Sequence, residues 1–175
     1  MAGVSAPGDR VRAAPAVAPA GAAPRHLAPS RRAATTTAAA LSLVAAWVHL
    51  AYAASHLRQW WAYGAFFVAA GAGQALFAPL VMRRPRPWVL LTGIAGNVAI
   101  IGMYVLSRTA GPPLGPHAHV PEPAGAIDLA TTAAEVALVG VLLTMLGRRS
   151  RRIVANALLA AGALLWALRL GGQLP

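Results

Sequence analysis

Long apolar runs alternate with short polar or basic stretches along most of this chain. Five runs, each close to twenty residues, cover positions 35–56, 61–82, 88–107, 126–146 and 153–170. A helix of about twenty residues spans the roughly 30 Å hydrocarbon core of a bilayer. The pattern therefore predicts an all-α fold, a polytopic bundle of five transmembrane helices in the cell membrane.

The stretches between the runs predict the rest of the organisation. Residues 1–33 are rich in Ala and Pro and carry five arginines, which is typical of a disordered tail. Residues 34–172 then form the helical domain. Within it, 55–59 is predicted to be a short polar turn, and 109–125, with five prolines, a loop without helical or strand period.

The distribution of arginine predicts the orientation. With the N-terminus inside, twelve arginines fall in the tail and in the two basic stretches 83–86 and 148–152, and three fall outside. This bias predicts a cytoplasmic N-terminus, an outer C-terminus and an extracytoplasmic 109–125 loop. A signal peptide cleaved after an A-x-A pattern at 51–53 is the alternative for the first run. Cleavage would leave four helices in the same orientation.

Composition narrows the function classes. The chain is 58% hydrophobic and 11% charged, against roughly half and a quarter in soluble domains. The formal charge of +11 comes from arginines at the ends of apolar runs, so no nucleic-acid partner is expected. The absence of Cys excludes disulfides and thiolate chemistry. The sequence contains no H-E-x-x-H and no nucleophile–base motif, so an enzyme is not indicated.

Two apolar runs contain ionisable side chains seven residues apart. His49 and His56 lie in the first run, and Asp128 and Glu135 lie in the fourth. A spacing of seven places each pair on one helical face. In the predicted orientation the two runs cross in opposite directions, which puts His49 and Glu135 at matching depths. We predict that these two residues contact each other or share one ligand, since buried ionisable groups in a membrane need partners.

The chemistry of such a cluster stays open at this stage. The candidate ligands of a divalent metal ion are His49, His56, Asp128 and Glu135, with His117 and His119 as weaker candidates. A proton relay is equally compatible. Haem ranks below both, because two histidines about 10 Å apart on one helical face cannot be opposite axial ligands. Structural alternatives are helix capping by Asp128 and a packing role for Gln74 or the His49–Glu135 pair.

One further pattern is a resemblance. The stretch S-R-T-A-G-P-P-L-G-P at 107–116, followed by E-P-A-G at 122–125 and then by Asp128 and Glu135, resembles small actinobacterial multi-pass membrane proteins of unknown activity. The run with His49 and His56 and its aromatic turn are similar to that group too. The resemblance covers roughly 40–146. It implies the architecture and the choice of residues, but no reaction.

The leading functional hypothesis is binding or transport of a metal ion or protons through an outer-side His/carboxylate cluster. The alternative is a structural or accessory membrane subunit whose buried polar residues only fix helix packing. Expected partners are the lipid bilayer, the metal ion or proton, and either a second copy or another membrane subunit. No cofactor is identified by the sequence.

Overall fold

The structure is a computed structural model that describes residues 1, 3 and 31–170, with side chains as far as residue 167. It contains five helices: α1 (Arg31–Gln59), α2 (Trp61–Arg83), α3 (Pro87–Thr109), α4 (Ala126–Met145) and α5 (Arg148–Leu170). No strand occurs in the described part of the chain, so the all-α prediction is confirmed. Helices α1 to α4 are long and apolar enough to cross a membrane.

Helix boundaries differ from the prediction at several ends. Residues 31–33, predicted as tail, and 55–59, predicted as a turn, belong to α1. Similarly, α5 begins at Arg148 inside the basic stretch. Apolar runs mark only the part of a helix suited to hydrocarbon, whereas Arg, Gln and Leu favour continued helix beyond it. The rest of the predicted tail, apart from residues 1 and 3, lies outside the described residues, as do residues 171–172.

Glycine allows α1 and α2 to pack closely against each other. A Cβ on Gly71 would lie 2.7 Å from Cγ of Leu50, and one on Gly64 would overlap the side chain of Leu57. Small residues allow this close approach of two helices. At Gly73, by contrast, a Cβ would meet open space.

One end of the four-helix bundle carries the basic turns, and we call it the basic end. The guanidinium of Arg31 donates a hydrogen bond to the carbonyl of Pro85 at 3.3 Å, which places the start of α1 beside the α2–α3 turn. The half of the bundle nearest this end encloses an apolar core, and we call it the packed half. Its largest fully buried side chains are Val81, Val89, Leu90, Leu138 and Leu142.

Helix α5 is the least integrated element. Val154 and Leu158 are its side chains packed against the core, while Leu159 and Trp166 are 71% and 65% exposed. Within the described residues α5 is not among the helices that meet the length and apolarity needed to cross a membrane. The predicted fifth helix therefore exists, and its crossing of the membrane remains a prediction.

Candidate functional site

The end of the bundle remote from the basic turns encloses a cavity of about 280 Å³. Each of the four helices contributes residues spaced three or four apart, so that four helical faces converge on it. The lining residues include His49, Tyr52 and His56 of α1, Tyr63, Phe66 and Phe67 of α2, Met103, Tyr104, Ser107 and Arg108 of α3, and Asp128, Thr131, Thr132 and Glu135 of α4. We call this region the cavity half.

A buried pair of ionisable residues lies on the cavity wall. His49 Nε2 is 2.9 Å from Glu135 Oε1, and the side chains are 9% and 1% exposed. The two residues are 86 positions apart in sequence, and their contact was predicted from matching depths on two helices. That prediction is confirmed.

Glu135 has two hydrogen-bond partners, His49 and Gln74. Gln74 Nε2 donates to the same Glu135 oxygen at 3.1 Å, so Oε1 accepts two hydrogen bonds when His49 donates from Nε2. This is the pattern of a carboxylate stabilised by two donors. His49 Nδ1 is buried and has no hydrogen-bond partner among the described residues. With a neutral imidazole and an ionised carboxylate, the pair has a formal charge of −1.

The same hydrogen-bond network connects all four membrane-length helices. Gln74 Nε2 also donates to Asn97 Oδ1 at 3.2 Å, and Asn97 donates to the carbonyl of Gly93 at 2.8 Å. Ser42 of α1 donates to the backbone carbonyl of Gln74 at 2.8 Å. Buried polar groups require such partners. The interhelical role predicted for Gln74 is confirmed, and the network includes the acid as well.

His56 has a different environment from His49. Its ring stacks on Phe67 with centroids 3.7 Å apart and planes at 19°. Its Nδ1–H donates to the carbonyl of Tyr52 at 2.9 Å, which fixes the ring orientation. His56 is only half-buried and lies nearer the cavity mouth. It follows His49 by seven residues, which is two turns of α1.

An ionic cluster lies at the mouth of the cavity. The guanidinium of Arg108 donates to Glu122 and to Asp128, the latter at 2.9 Å, and lies 5.2 Å from the centre of the Tyr104 ring. Asp128 also accepts a hydrogen bond from the backbone N–H of Gly125 at 3.1 Å. The capping role proposed for Asp128 is thus present alongside an ion pair. Arg108 Nε is buried without a hydrogen-bond partner among the described residues.

The loop between α3 and α4 covers the cavity mouth. Tyr63 Oη donates to the carbonyl of Leu114 at 2.8 Å, and the backbone N–H of Glu122 donates to the carbonyl of Ser107 at 3.0 Å. Gly115 has φ +98°, and a Cβ there would lie 2.6 Å from the ring of Trp60. Glycine is required at this position both for the left-handed backbone and for the close approach.

The four principal candidates from the sequence, His49, His56, Asp128 and Glu135, all line this one cavity. The weaker candidates His117 and His119 do not line it, and both are exposed on the loop. In the part of the chain that the structure describes, no three His, Asp or Glu residues converge as metal ligands. The structure thus places the four candidates around one cavity, but they do not contact one another as a single cluster. His49 contacts Glu135, and Asp128 contacts Arg108.

Sequence reasoning missed most of the cavity wall. The sequence pattern does not single out Phe66, Phe67, Tyr104 or Thr131 as part of a site. A signal is present in α4, where polar residues recur at 128, 131, 132 and 135 on one face of the helix. Comparison of the chain with protein-family models, with curated proteins and with solved structures finds no match, so the argument for function depends on this cavity.

Proposed function

We propose that this protein is an integral protein of the cell membrane that binds protons at the His49–Glu135 pair and uses that site in transport. One observation carries the proposal. An acid that is 1% exposed contacts a histidine on the wall of a cavity that continues to the mouth cluster at Arg108. Titratable groups placed in this way inside apolar helices form the steps of proton pathways.

The orientation follows from the positions of the charges. Arg31, Arg83, Arg84 and Arg86 surround one space at the basic end, and arginine-rich turns are retained on the cytoplasmic side. The cavity then opens on the outer side, with the N-terminus inside. In this arrangement α5 crosses as a fifth helix and brings the C-terminus out.

The proton site is tested by infrared difference spectroscopy of the purified protein during a pH titration. We expect the carboxylic-acid band of Glu135 to rise as pH falls, to vanish in Glu135→Gln and to persist in Glu122→Gln. Proton flux into proteoliposomes that contain a pH-sensitive dye should be lost in Glu135→Gln and kept in His117→Ala. A titration unchanged by Glu135→Gln would contradict the proposal.

Orientation can be tested independently because the chain contains no Cys. Ala118→Cys, in the loop, should react with a membrane-impermeant maleimide in intact cells. Ser150→Cys, in the first turn of α5, should react only after the cells are broken. The reverse pattern would overturn the proposed orientation.

A structural role is the second candidate, favoured by the network that ties Gln74, Asn97 and Glu135 across the bundle. Interhelical hydrogen bonds in membranes contribute about 0.6 kcal/mol on average. If the pair is only structural, Glu135→Gln should lower stability while wild-type protein shows neither a titrating carboxyl band nor proton flux.

A divalent metal ion is supported less well by the geometry. Glu122 and Asp128 are engaged by Arg108, which leaves His49 and Glu135 as the candidate ligands already close together. Metal analysis of purified wild type beside His49→Ala tests this. Stoichiometric metal that is lost in the variant would replace the proton proposal by a metal site.

A further inference from the structure

Aromatic side chains form a substantial part of the cavity wall. Six rings surround it, those of Tyr52, Trp60, Tyr63, Phe66, Phe67 and Tyr104. The faces of such rings attract cations through the ring quadrupole, most strongly where water is excluded. Arg108 already lies 5.2 Å from the centre of the Tyr104 ring, which shows one such contact at the mouth.

The charges of the cavity also favour a cation. Three of the four acids in the chain, Glu122, Asp128 and Glu135, line it together with the single guanidinium of Arg108. With neutral imidazoles its formal charge is −2. Arg108 pairs with Glu122 and Asp128 at the mouth, whereas among the described residues Glu135 contacts His49 and Gln74 and no arginine.

The volume restricts the size of an occupant. A protein cavity of about 150 Å³ holds benzene, and the present one measures about 280 Å³. The space therefore suits one aromatic ring or a short aliphatic body together with a compact charged group. An anion would be repelled by the formal charge, and a fully apolar molecule would leave the Glu135 carboxylate without a cation.

We propose that the cavity binds a small lipophilic organic cation, an ammonium with an apolar body, in exchange for a proton at the His49–Glu135 pair. This inference rests on the proposed proton site and names its substrate class. The pair without an added proton carries −1, and either a proton or the ammonium group supplies the compensating charge. Since both compete for that charge, binding of the cation to the protonated pair releases one proton.

Other titratable and charged groups line the same cavity and influence this exchange. They are His56 and Tyr52 of α1, Tyr63 of α2, Tyr104 and Arg108 of α3, Asp128 of α4 and Glu122 of the loop. The mouth groups are held in ion pairs, which leaves Glu135 as the carboxylate available to an incoming cation.

The test uses three probes of similar size: phenyltrimethylammonium, benzyl alcohol and benzoate. Calorimetry on detergent-purified full-length protein should show binding of the cation at least tenfold tighter than of the alcohol, with no binding of benzoate. Below the midpoint of the carboxyl titration, where the pair holds an added proton, a pH-sensitive dye in weak buffer should detect up to one proton released per cation bound. Below the midpoint of the carboxyl titration, cation binding should weaken up to tenfold for each unit of pH.

Glu135→Gln should abolish both the cation preference and the proton release, and His117→Ala, outside the cavity, should keep both. The comparison of the three probes on wild-type protein does not depend on this variant. It therefore tests the proposal even if Glu135→Gln fails to fold. A titrating carboxyl with equal or absent binding of all three probes would overturn this inference and leave the proton site standing. Cation binding without proton release, and without a titrating carboxyl, would overturn the exchange and the proton site together.

Discussion

The packed half and the cavity half are built from the same four helices, yet one is filled by side chains and the other is hollow. In α4 a single helical turn separates Glu135, on the cavity wall, from Leu138, which is fully buried in the core. Internal cavities lower stability, and the packed half shows that this chain can fill its interior. The cavity therefore results from the particular side chains in the cavity half. Ligand-binding sites are typically preformed cavities of this kind.

The largest expected effect concerns the packed half. Leu142→Ala should lower the free energy of unfolding by about 2–5 kcal/mol, because it opens a void in a filled core. Unfolding in detergent measures this, with Leu164→Ala, 60% exposed on α5, as the control expected to change stability by less than about 0.5 kcal/mol. Equal effects of the two variants would contradict the core described here.

The next effect concerns the buried pair. Glu135→Leu should lower the free energy of unfolding by about 1–3 kcal/mol, because it leaves His49 and Gln74 without their shared acceptor. Glu135→Gln keeps an acceptor oxygen and should cost less. If the leucine variant proved as stable as wild type, the hydrogen bonds at Glu135 would contribute nothing to the fold.

A smaller effect is expected at the loop. Tyr63→Phe removes the hydrogen bond to the carbonyl of Leu114 and should cost about 0.5–1.5 kcal/mol. Hydrogen exchange should increase in residues 110–120 and remain unchanged in α4. Unchanged exchange in the loop would show that Tyr63 does not hold it over the cavity.

The smallest effect is expected at His117. Its side chain is exposed and lies outside the cavity, so His117→Ala should change stability by less than about 0.5 kcal/mol and leave proton flux intact. Loss of proton flux in this variant would show that the site includes the loop histidines, the weaker candidates from the sequence.

The sequence predicted the parts of this structure that follow from periodicity. The apolar runs predicted the five helices, and the spacing of seven predicted the contact of His49 with Glu135, because both depend on distances along a helix. The separate partnerships of the candidates were not predictable in this way. Whether Asp128 contacts the His49–Glu135 pair or Arg108 depends on the rotation of α3 and α4 about their axes. The cavity depends on the volumes of side chains from all four helices.

The sequence separation of the site has a consequence for biosynthesis. The glycine-based contact of α1 with α2 joins neighbouring helices, so it is available as soon as both have left the ribosome. The contact of His49 with Glu135 spans 86 residues and requires α4, which is synthesised much later. Since folding proceeds from the N-terminus during synthesis, α1 and its His49 are made before the acid that pairs with them. A chain that stops before α4 therefore has His49 without its acidic partner.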